Sequence, residues 1–191
     1  MKKVLGLDIS SSTIGWGILE YDNKTISLVE YGHFKPLSKK KAEKKGLGYS
    51  SRIDSAYKAI YDLVKQKKPD DISIEEYARR FSKNKSTANT IIVLATFNES
   101  VALSCLHAMN IEPAKHPVTS MRSKVSKALD VELKSKDDVF PFVEKTFSNF
   151  LPTKTRYGNI KKEHYDEADG IFAALAHIIM ESGNTDWKKI G

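Results

Sequence analysis

Four acidic residues stand in sequence settings that could bring them together as one metal site. Asp8 lies near the end of the apolar run at residues 4–9, which predicts a buried strand with a carboxylate at its C-terminal end. Glu75 ends a second short run of the β type. Asp166 and Asp169 lie three residues apart at the start of an apolar helix, so both can point from one helical face. Since α/β proteins place their sites at strand ends, we expect these carboxylates to converge.

Such a cluster repels itself unless a hard cation lies inside it, and oxygen ligands alone favour Mg²⁺ or Mn²⁺ over zinc. Each acid taken singly also has a structural explanation. Asp8 could cap a turn with residues 10–12, and Glu75 could be a solvated strand end. Asp166 and Asp169 could simply favour a helix N-terminus. The occurrence of all four in this order favours the metal site.

Length and composition set the broad class of the protein. A chain of 191 residues fits a single domain over residues 1–191 with a sizeable core. The only cysteine, Cys105, lies in an apolar stretch, which predicts a small buried side chain, argues against disulfides and fits a reducing compartment. The apolar stretch after Lys2 and Lys3 is interrupted by Asp8 and is too short to span a bilayer. We therefore predict a soluble, cytoplasmic protein with no membrane segment.

Positive charge surrounds the acidic residues in the sequence. Lysine and arginine number 31 against 24 acidic residues, a net charge of +7, although the predicted site gathers negative charge. Any single lysine run is most simply a solvated surface, but an acidic centre with several basic segments around it suits a nuclease. Residues 35–45 and 154–162 are two such segments. The residues predicted to bind DNA are Arg79, Arg80, Lys83, Lys85, Arg122, Lys124 and Lys127.

The elements that must position these residues follow from hydrophobic periodicity and turn signals. The first three strands are expected to be antiparallel, and a long apolar helix is expected to be buried on several sides. A lysine-rich loop is predicted over residues 35–49. The predicted strands are residues 4–9, 13–20, 25–34, 72–75 and 111–115, and the predicted helices are residues 53–64, 87–109, 121–129, 138–148 and 166–181.

This order of elements and several short motifs resemble the RuvC-type crossover (Holliday) junction endodeoxyribonucleases, which have the ribonuclease H-like fold. The residues that carry the resemblance are Gly6-Leu7-Asp8 followed by Gly15-Trp16-Gly17, Ser51-Arg52-Ile53, Pro69-Asp70 before Ile74-Glu75-Glu76, Asp166-Glu167-Ala168-Asp169, and Ala173-Ala174-Leu175-Ala176-His177. The resemblance implies an α/β fold with a mixed five-stranded sheet, three antiparallel strands then two parallel, flanked by helices.

The same resemblance implies a function. Asp8, Glu75, Asp166 and Asp169 would bind two Mg²⁺ ions, with Mn²⁺ able to substitute, and a water would attack the phosphodiester. Asp8 is the best candidate to bridge the ions, and Glu75 is preferred over the adjacent Glu76. The family makes paired incisions in four-way DNA junctions, which implies a homodimer. The helix at residues 87–109 is the first candidate for its interface.

Some features depart from the family. The loop before the first long helix and residues 150–165 look longer than in compact members. Tyr77 and Phe81 flank the position where the family tends to carry a stacking aromatic, so either could be a junction wedge. His177 shares a helical face with Asp169, but a histidine on an apolar helix is more often packed and hydrogen-bonded. His164 is a weaker candidate for a ligand or proton carrier.

Other classes of function remain open from the residues. Residues 7–13 could pass for the phosphate loop of an actin-like or sugar-kinase-like phosphotransferase, but that fold needs two such domains and this chain is too short for both. A non-catalytic junction-binding module would use the same basic surface, with structural acids. A ribonuclease H-like nuclease acting on RNA–DNA hybrids is the nearest competitor, because the same fold and metals serve both.

Overall fold

The computed structural model describes residues 1–76, 88–183, 187 and 189–191. One mixed sheet organises this part of the chain, in the order β5-β4-β1-β2-β3-β6. Its strands are β1 Lys2–Ile9, β2 Ile14–Tyr21, β3 Thr25–Phe34, β4 Asp71–Glu76, β5 Ala114–Pro117 and β6 Lys189–Ile190. The first three are antiparallel to their sequence neighbours, whereas β4 is parallel to β1, β5 to β4 and β6 to β3.

Helices cover both faces of this sheet. Their bounds are α1 Lys39–Lys44, α2 Tyr49–Lys67, α3 Ala88–Met109, α4 Val118–Leu129, α5 Val139–Thr146 and α6 Glu163–Ser182, with a 3-10 turn at Lys136–Asp138 before α5. One buried cluster joins the sheet to α4, α5 and α6, and the other joins it to α2 and α3. Alternate residues of β1 supply the two clusters, Val4 to the first and Leu5 and Leu7 to the second, as the two-residue period of a strand requires.

Helix α6 lies directly on the main chain of the central strands. A Cβ atom at Gly6 would overlap the carbonyl oxygen of Gly170, and one at Gly15 would overlap the carbonyl oxygen of Asp166. A Cβ at Gly17 would fall 2.6 Å from the Cα atom of Ile171. Only glycine permits this close approach of backbone to backbone. The glycines of β1 and β2 therefore set the distance between the sheet and the helix that carries two of the acids.

The sequence predictions for the fold are confirmed in outline and corrected in detail. The sheet has six strands rather than the five predicted. The sixth, β6, was missed because two residues are too few to give a periodic signal in the sequence. Residues 35–49 are not wholly a loop: Ser38 caps the short helix α1 by accepting a hydrogen bond from the Lys41 amide. The fifth strand begins at Ala114 rather than at residue 111. Pro141 lies in the first turn of α5, where its missing N–H costs nothing.

Helix α3 is long and apolar enough, by length and composition alone, to cross a membrane. The N-terminal apolar stretch, in contrast, is strand β1. Helix α3 packs against α2, β1 and β4, and Phe97, Val101 and Cys105 are buried in the cluster on that face. A buried core helix passes the same length and composition test. Burial raises the pKa of the Cys105 thiol to about 12, which fits the prediction of a small buried side chain.

Candidate active site

Asp8 and Glu75 stand side by side at the C-terminal ends of two parallel strands. Leu7 of β1 pairs with Ile74 of β4, so the next residue on each strand points to the same edge and face of the sheet. Burial raises the pKa of Asp8 well above its usual range, and the nearby carboxylates of Glu75 and Asp169 raise it further. Burial and then repulsion from Asp169 raise the pKa of Glu75 to about 7. The prediction that these two strand ends meet is consistent with this geometry.

Asp166 and Asp169 reach the same place from the first turns of α6. The helix is held there because the main chain at Asp166 lies against Gly15 of β2. The Thr13 side chain hydrogen-bonds to Asp166, which ties this carboxylate to the turn that follows Asp8. Burial raises the pKa of both aspartates. All four predicted acids therefore lie within electrostatic range of one another.

Lys136, from the 3-10 turn before α5, brings a positive charge into this cluster. Its Nζ lies 2.7 Å from Asp169 Oδ2. Partial burial opposes the lysine charge, but the carboxylates of Asp8, Asp169 and Glu75 outweigh that effect and raise the pKa of Lys136. Ser135 and Asp138 form a reciprocal capping box that fixes the turn. Lys136 was not predicted; the only sequence signal was that Ser-x-x-Asp pattern beside a lysine.

The donor set suits a hard divalent cation. The four converging side chains offer carboxylate oxygens only, the ligands that Mg²⁺ and Mn²⁺ prefer. The ammonium group of Lys136 is close to the four carboxylates, whose pKa values are raised by burial and, for most of them, by mutual repulsion. A divalent cation bound among them would reduce this repulsion. Within the described ranges, no three acidic, histidine or cysteine side chains lie close enough together to hold a metal ion as they stand. It is therefore the chemistry of the donor set, and not the spacing of the oxygens, that fits Mg²⁺ or Mn²⁺.

The structure separates the three basic residues predicted on α4. Arg122 points toward the acids, lowers the pKa of Glu75 by its charge, and donates a hydrogen bond to the Lys134 carbonyl oxygen at 3.1 Å. Lys124 and Lys127 instead line a 370 Å³ cavity with Ile179 and Glu181, at the far end of α6. They are therefore not brought to the acids. Arg79, Arg80, Lys83, Lys85 and the two wedge candidates Tyr77 and Phe81 lie outside the described residues.

His116, His164 and His177 make buried hydrogen bonds rather than joining the acid cluster. His177 Nδ1 lies 3.0 Å from Nε2 of His116, a strand residue beside Glu75 in the register of β4 and β5. Burial lowers the pKa of both rings. This is the packed, hydrogen-bonded role expected of His177, with a partner that the sequence could not reveal. His164 is 9% exposed and hydrogen-bonds to Glu167 rather than to the four acids.

Glu167 is a buried carboxylate that the sequence did not single out. It is 4% exposed, and its two oxygens lie 2.6 Å from Nδ1 of His33 and 2.6 Å from Nδ1 of His164. The Thr153 amide donates to Nε2 of His164, so that nitrogen carries no proton and Nδ1–H must donate to Glu167. Strand β3, the segment at Thr153 and the start of α6 are thus joined directly beside Asp166.

A mixed sheet with this strand order, and with acids at its central strand ends and on the helix across it, defines the ribonuclease H-like class. No family model matches the chain. It is 26% identical over 176 residues to the crossover junction endodeoxyribonuclease RuvC of Finegoldia magna, covering 92% of each chain. It is 29% identical over 122 residues to RuvC of Caldanaerobacter subterraneus subsp. tengcongensis, covering 64% of this chain and 65% of that relative, just under two thirds.

Solved structures agree with the sequence relatives. Thermus thermophilus RuvC in complex with a Holliday junction substrate superposes with a TM-score of 0.68 at 15% identity, covering 99% of both chains. The yeast mitochondrial Holliday junction resolvase Ydc2 gives a TM-score of 0.59 at 12% identity, covering 98% of this chain and 82% of that one. The predicted resemblance is confirmed: the chain is similar in sequence to the RuvC-type crossover junction endodeoxyribonucleases and has the ribonuclease H-like fold.

Proposed function

We propose that this protein is a structure-selective endonuclease that makes paired incisions in branched DNA, most favourably in four-way junctions. The observation that carries the proposal is the convergence of Asp8, Glu75, Asp166 and Asp169 on one partly buried spot beside Lys136. Relatives that cover most of the chain are crossover junction endodeoxyribonucleases by name, and a structural neighbour was solved with a Holliday junction. A cytoplasmic location, with DNA as the partner, follows from that activity.

The four carboxylates are proposed to hold two Mg²⁺ ions, for which Mn²⁺ can substitute. Such ions lower the pKa of a bound water, and their positive charge stabilises the negative charge that develops on the phosphate during the reaction. Asp8 is the acid whose pKa responds to all three of the others, which fits a position between two ions. Thr13 orients Asp166 through its hydrogen bond. Lys136 would contact an oxygen of the phosphate bound beside Asp169.

Paired incisions require two active sites, so the enzyme is proposed to act as a homodimer. Helix α3 remains the first candidate for the interface. Its inner face is buried, whereas Ile92 is 62% exposed and Leu103 is 46% exposed. Large apolar side chains exposed along one apolar helix are typical of a surface that pairs with a second copy. Light scattering should give the mass of a dimer, and Ile92→Glu with Leu103→Glu should give a folded monomer.

One cleavage assay tests the activity and separates it from its competitors. A four-way junction, a fork, a linear duplex and an RNA–DNA hybrid are incubated with the protein in Mg²⁺ or in EDTA, and the products are resolved on a denaturing gel. We expect symmetric cuts in the junction that require the divalent ion. Preferred cutting of the hybrid would instead indicate a ribonuclease H. Junction binding without any cutting would indicate a non-catalytic module, and cutting that survives EDTA would refute the metal mechanism.

A further inference from the structure

We propose that two basic segments beside the turn between β1 and β2 form a groove that binds the phosphodiester backbone of one DNA arm. This basic groove consists of two adjoining cavities of 580 and 490 Å³ that share Ser12 and Lys35. Residues 35–41 form one wall and residues 161–163 form the other. The inference rests on the proposed function only for the identification of the ligand as DNA.

The first wall is fixed to the turn by Arg52 of α2. Its Nε donates to the Leu37 carbonyl oxygen at 3.0 Å, and one terminal nitrogen donates to the Ser11 carbonyl oxygen at 3.0 Å. The Leu37 amide donates to the Ser55 hydroxyl at 3.2 Å. One guanidinium thus joins the lysine-rich segment to the turn after Asp8. The wall is therefore held in place before any ligand binds, which lowers the entropy that binding would cost.

The second wall is fixed by the buried carboxylate of Glu167. Its hydrogen bond to His164 is continued by the bond from the Thr153 amide, which anchors the segment before α6. Residues 154 and 160 then pair as an antiparallel bridge, and the Asn159 carbonyl oxygen accepts from the Thr155 amide at 2.7 Å. This short hairpin carries Lys161 and Lys162 to the edge of the groove.

The groove has the charge and chemistry of a phosphate site rather than a base-binding site. Lys41, Lys161 and Lys162 are exposed and form no ion pair with the described residues, so their charges are open to a ligand. The ion pairs of Lys35 with Glu163 and of Lys39 with Glu43 are long, at 3.6 and 3.9 Å. Serine and threonine hydroxyls line the floor, and Phe34 is the one aromatic residue among the described lining. Lysines with neutral hydroxyl donors suit phosphate oxygens, whereas base recognition would need stacking faces.

The groove leads into the acid cluster through one residue. Thr13 lines the second cavity and also hydrogen-bonds to Asp166. A strand whose phosphates lie along the groove would therefore continue past Thr13 toward the four acids. Arg122, on α4, approaches the acids from another element, so the scissile strand would be held by separate basic groups. This arrangement fits one arm of a branched substrate entering along the groove.

The test compares two triple variants of equal charge. Lys41, Lys161 and Lys162 are replaced by alanine in one, and Lys2, Lys24 and Lys65, exposed and distant from the groove, are replaced by alanine in the other. Binding of a fluorescent four-way junction is measured against salt in an Asp8→Asn background, which keeps the DNA intact. Each duplex phosphate contact contributes about 0.9 to the slope of log affinity against log salt. The groove variant should lose about 2 to 3 in slope, and the control should lose less than about 1. Equal losses would overturn the proposal.

A second measurement locates the contacts. Neutral methylphosphonates replace single phosphates on each side of the cut position, and binding is measured for the parent and the groove variant. Methylphosphonates at several consecutive positions on one side of the cut should weaken DNA binding by the parent and have no effect on DNA binding by the groove variant. Losses that persist unchanged in the variant would refute the contact. If the salt slope depends on the groove lysines but the parent does not cleave junctions in Mg²⁺, the groove proposal holds and the proposed nuclease function is wrong. If the parent does not bind DNA, both proposals are wrong.

Discussion

Removal of the Glu75 charge should stabilise the protein at alkaline pH while abolishing its activity. Burial and repulsion from Asp169 raise the pKa of Glu75 from 4.5 to about 7 in the folded protein. The folded state therefore holds a proton that the unfolded state releases, and stability falls as the pH rises from about 4.5 to 7. At pH 8 the full shift would cost about 3 kcal/mol. Because the side chain is partly exposed, solvent screening reduces this to about 2 kcal/mol.

Thermal unfolding of Glu75→Gln in EDTA measures this cost. At pH 8 the variant should melt about 4 to 8 °C above the parent, and at pH 4.5 the two should differ little. Mg²⁺ should raise the melting temperature of the parent at pH 8 and raise that of the variant less. Glu76→Gln, one residue along the same strand, is the matched control and should retain most activity. An equal melting difference at both pH values would refute the electrostatic explanation.

Three further substitutions examine the site. Asp8→Asn should reduce junction cleavage by orders of magnitude and leave affinity unchanged or higher, because a repulsive charge near phosphate is lost; near-parent cleavage by the folded variant would make Asp8 structural. Gly15→Ala should cost about 1 to 3 kcal/mol of stability in denaturant unfolding, together with activity, because its Cβ would displace the main chain at Asp166. Lys136→Met should lower the melting temperature in EDTA more at pH 8 than at pH 4.5, because Glu75, whose pKa is raised to about 7, is charged only at the higher pH; a Lys134→Met control should show no such pH dependence.

The positions of the acids could be predicted because local sequence patterns determine them. Asp8 and Glu75 each end an apolar run, and the spacing of Asp166 and Asp169 is that of one helical face, so strand and helix periodicity were sufficient. Strands β1 to β3 alternate in direction, so β3 runs parallel to β1, and the crossover through α2 from β3 then returns β4 parallel to β1.

The counter-charge of the cluster could not be predicted in the same way. Lys136 is one lysine among many, and only the tertiary position of its 3-10 turn brings Nζ to Asp169. Likewise, nothing local distinguishes Lys124 and Lys127 from Arg122, although α4 carries the two lysines away from the acids.

The role of Glu167 is only partly visible in the sequence. His164 lies three residues before it, which is a spacing of one helical face, but its other partner, His33, comes from the distant strand β3 and no local pattern reveals that contact.

The direct contact of α6 with the strand backbones means that largely different residues place the acids and stabilise the fold. Main-chain atoms at Gly6, Gly15 and Gly17 set the distance of the helix from β1 and β2, and with it the distance of Asp166 and Asp169 from Asp8. Ile171 and Ala174 belong both to that contact and to the first hydrophobic cluster, so changes of their volume would move the helix, whereas changes elsewhere in the two clusters act mainly on the free energy of unfolding. Substitutions that raise thermal tolerance are therefore best sought in the interior away from this contact, where the placement of the acids is least affected.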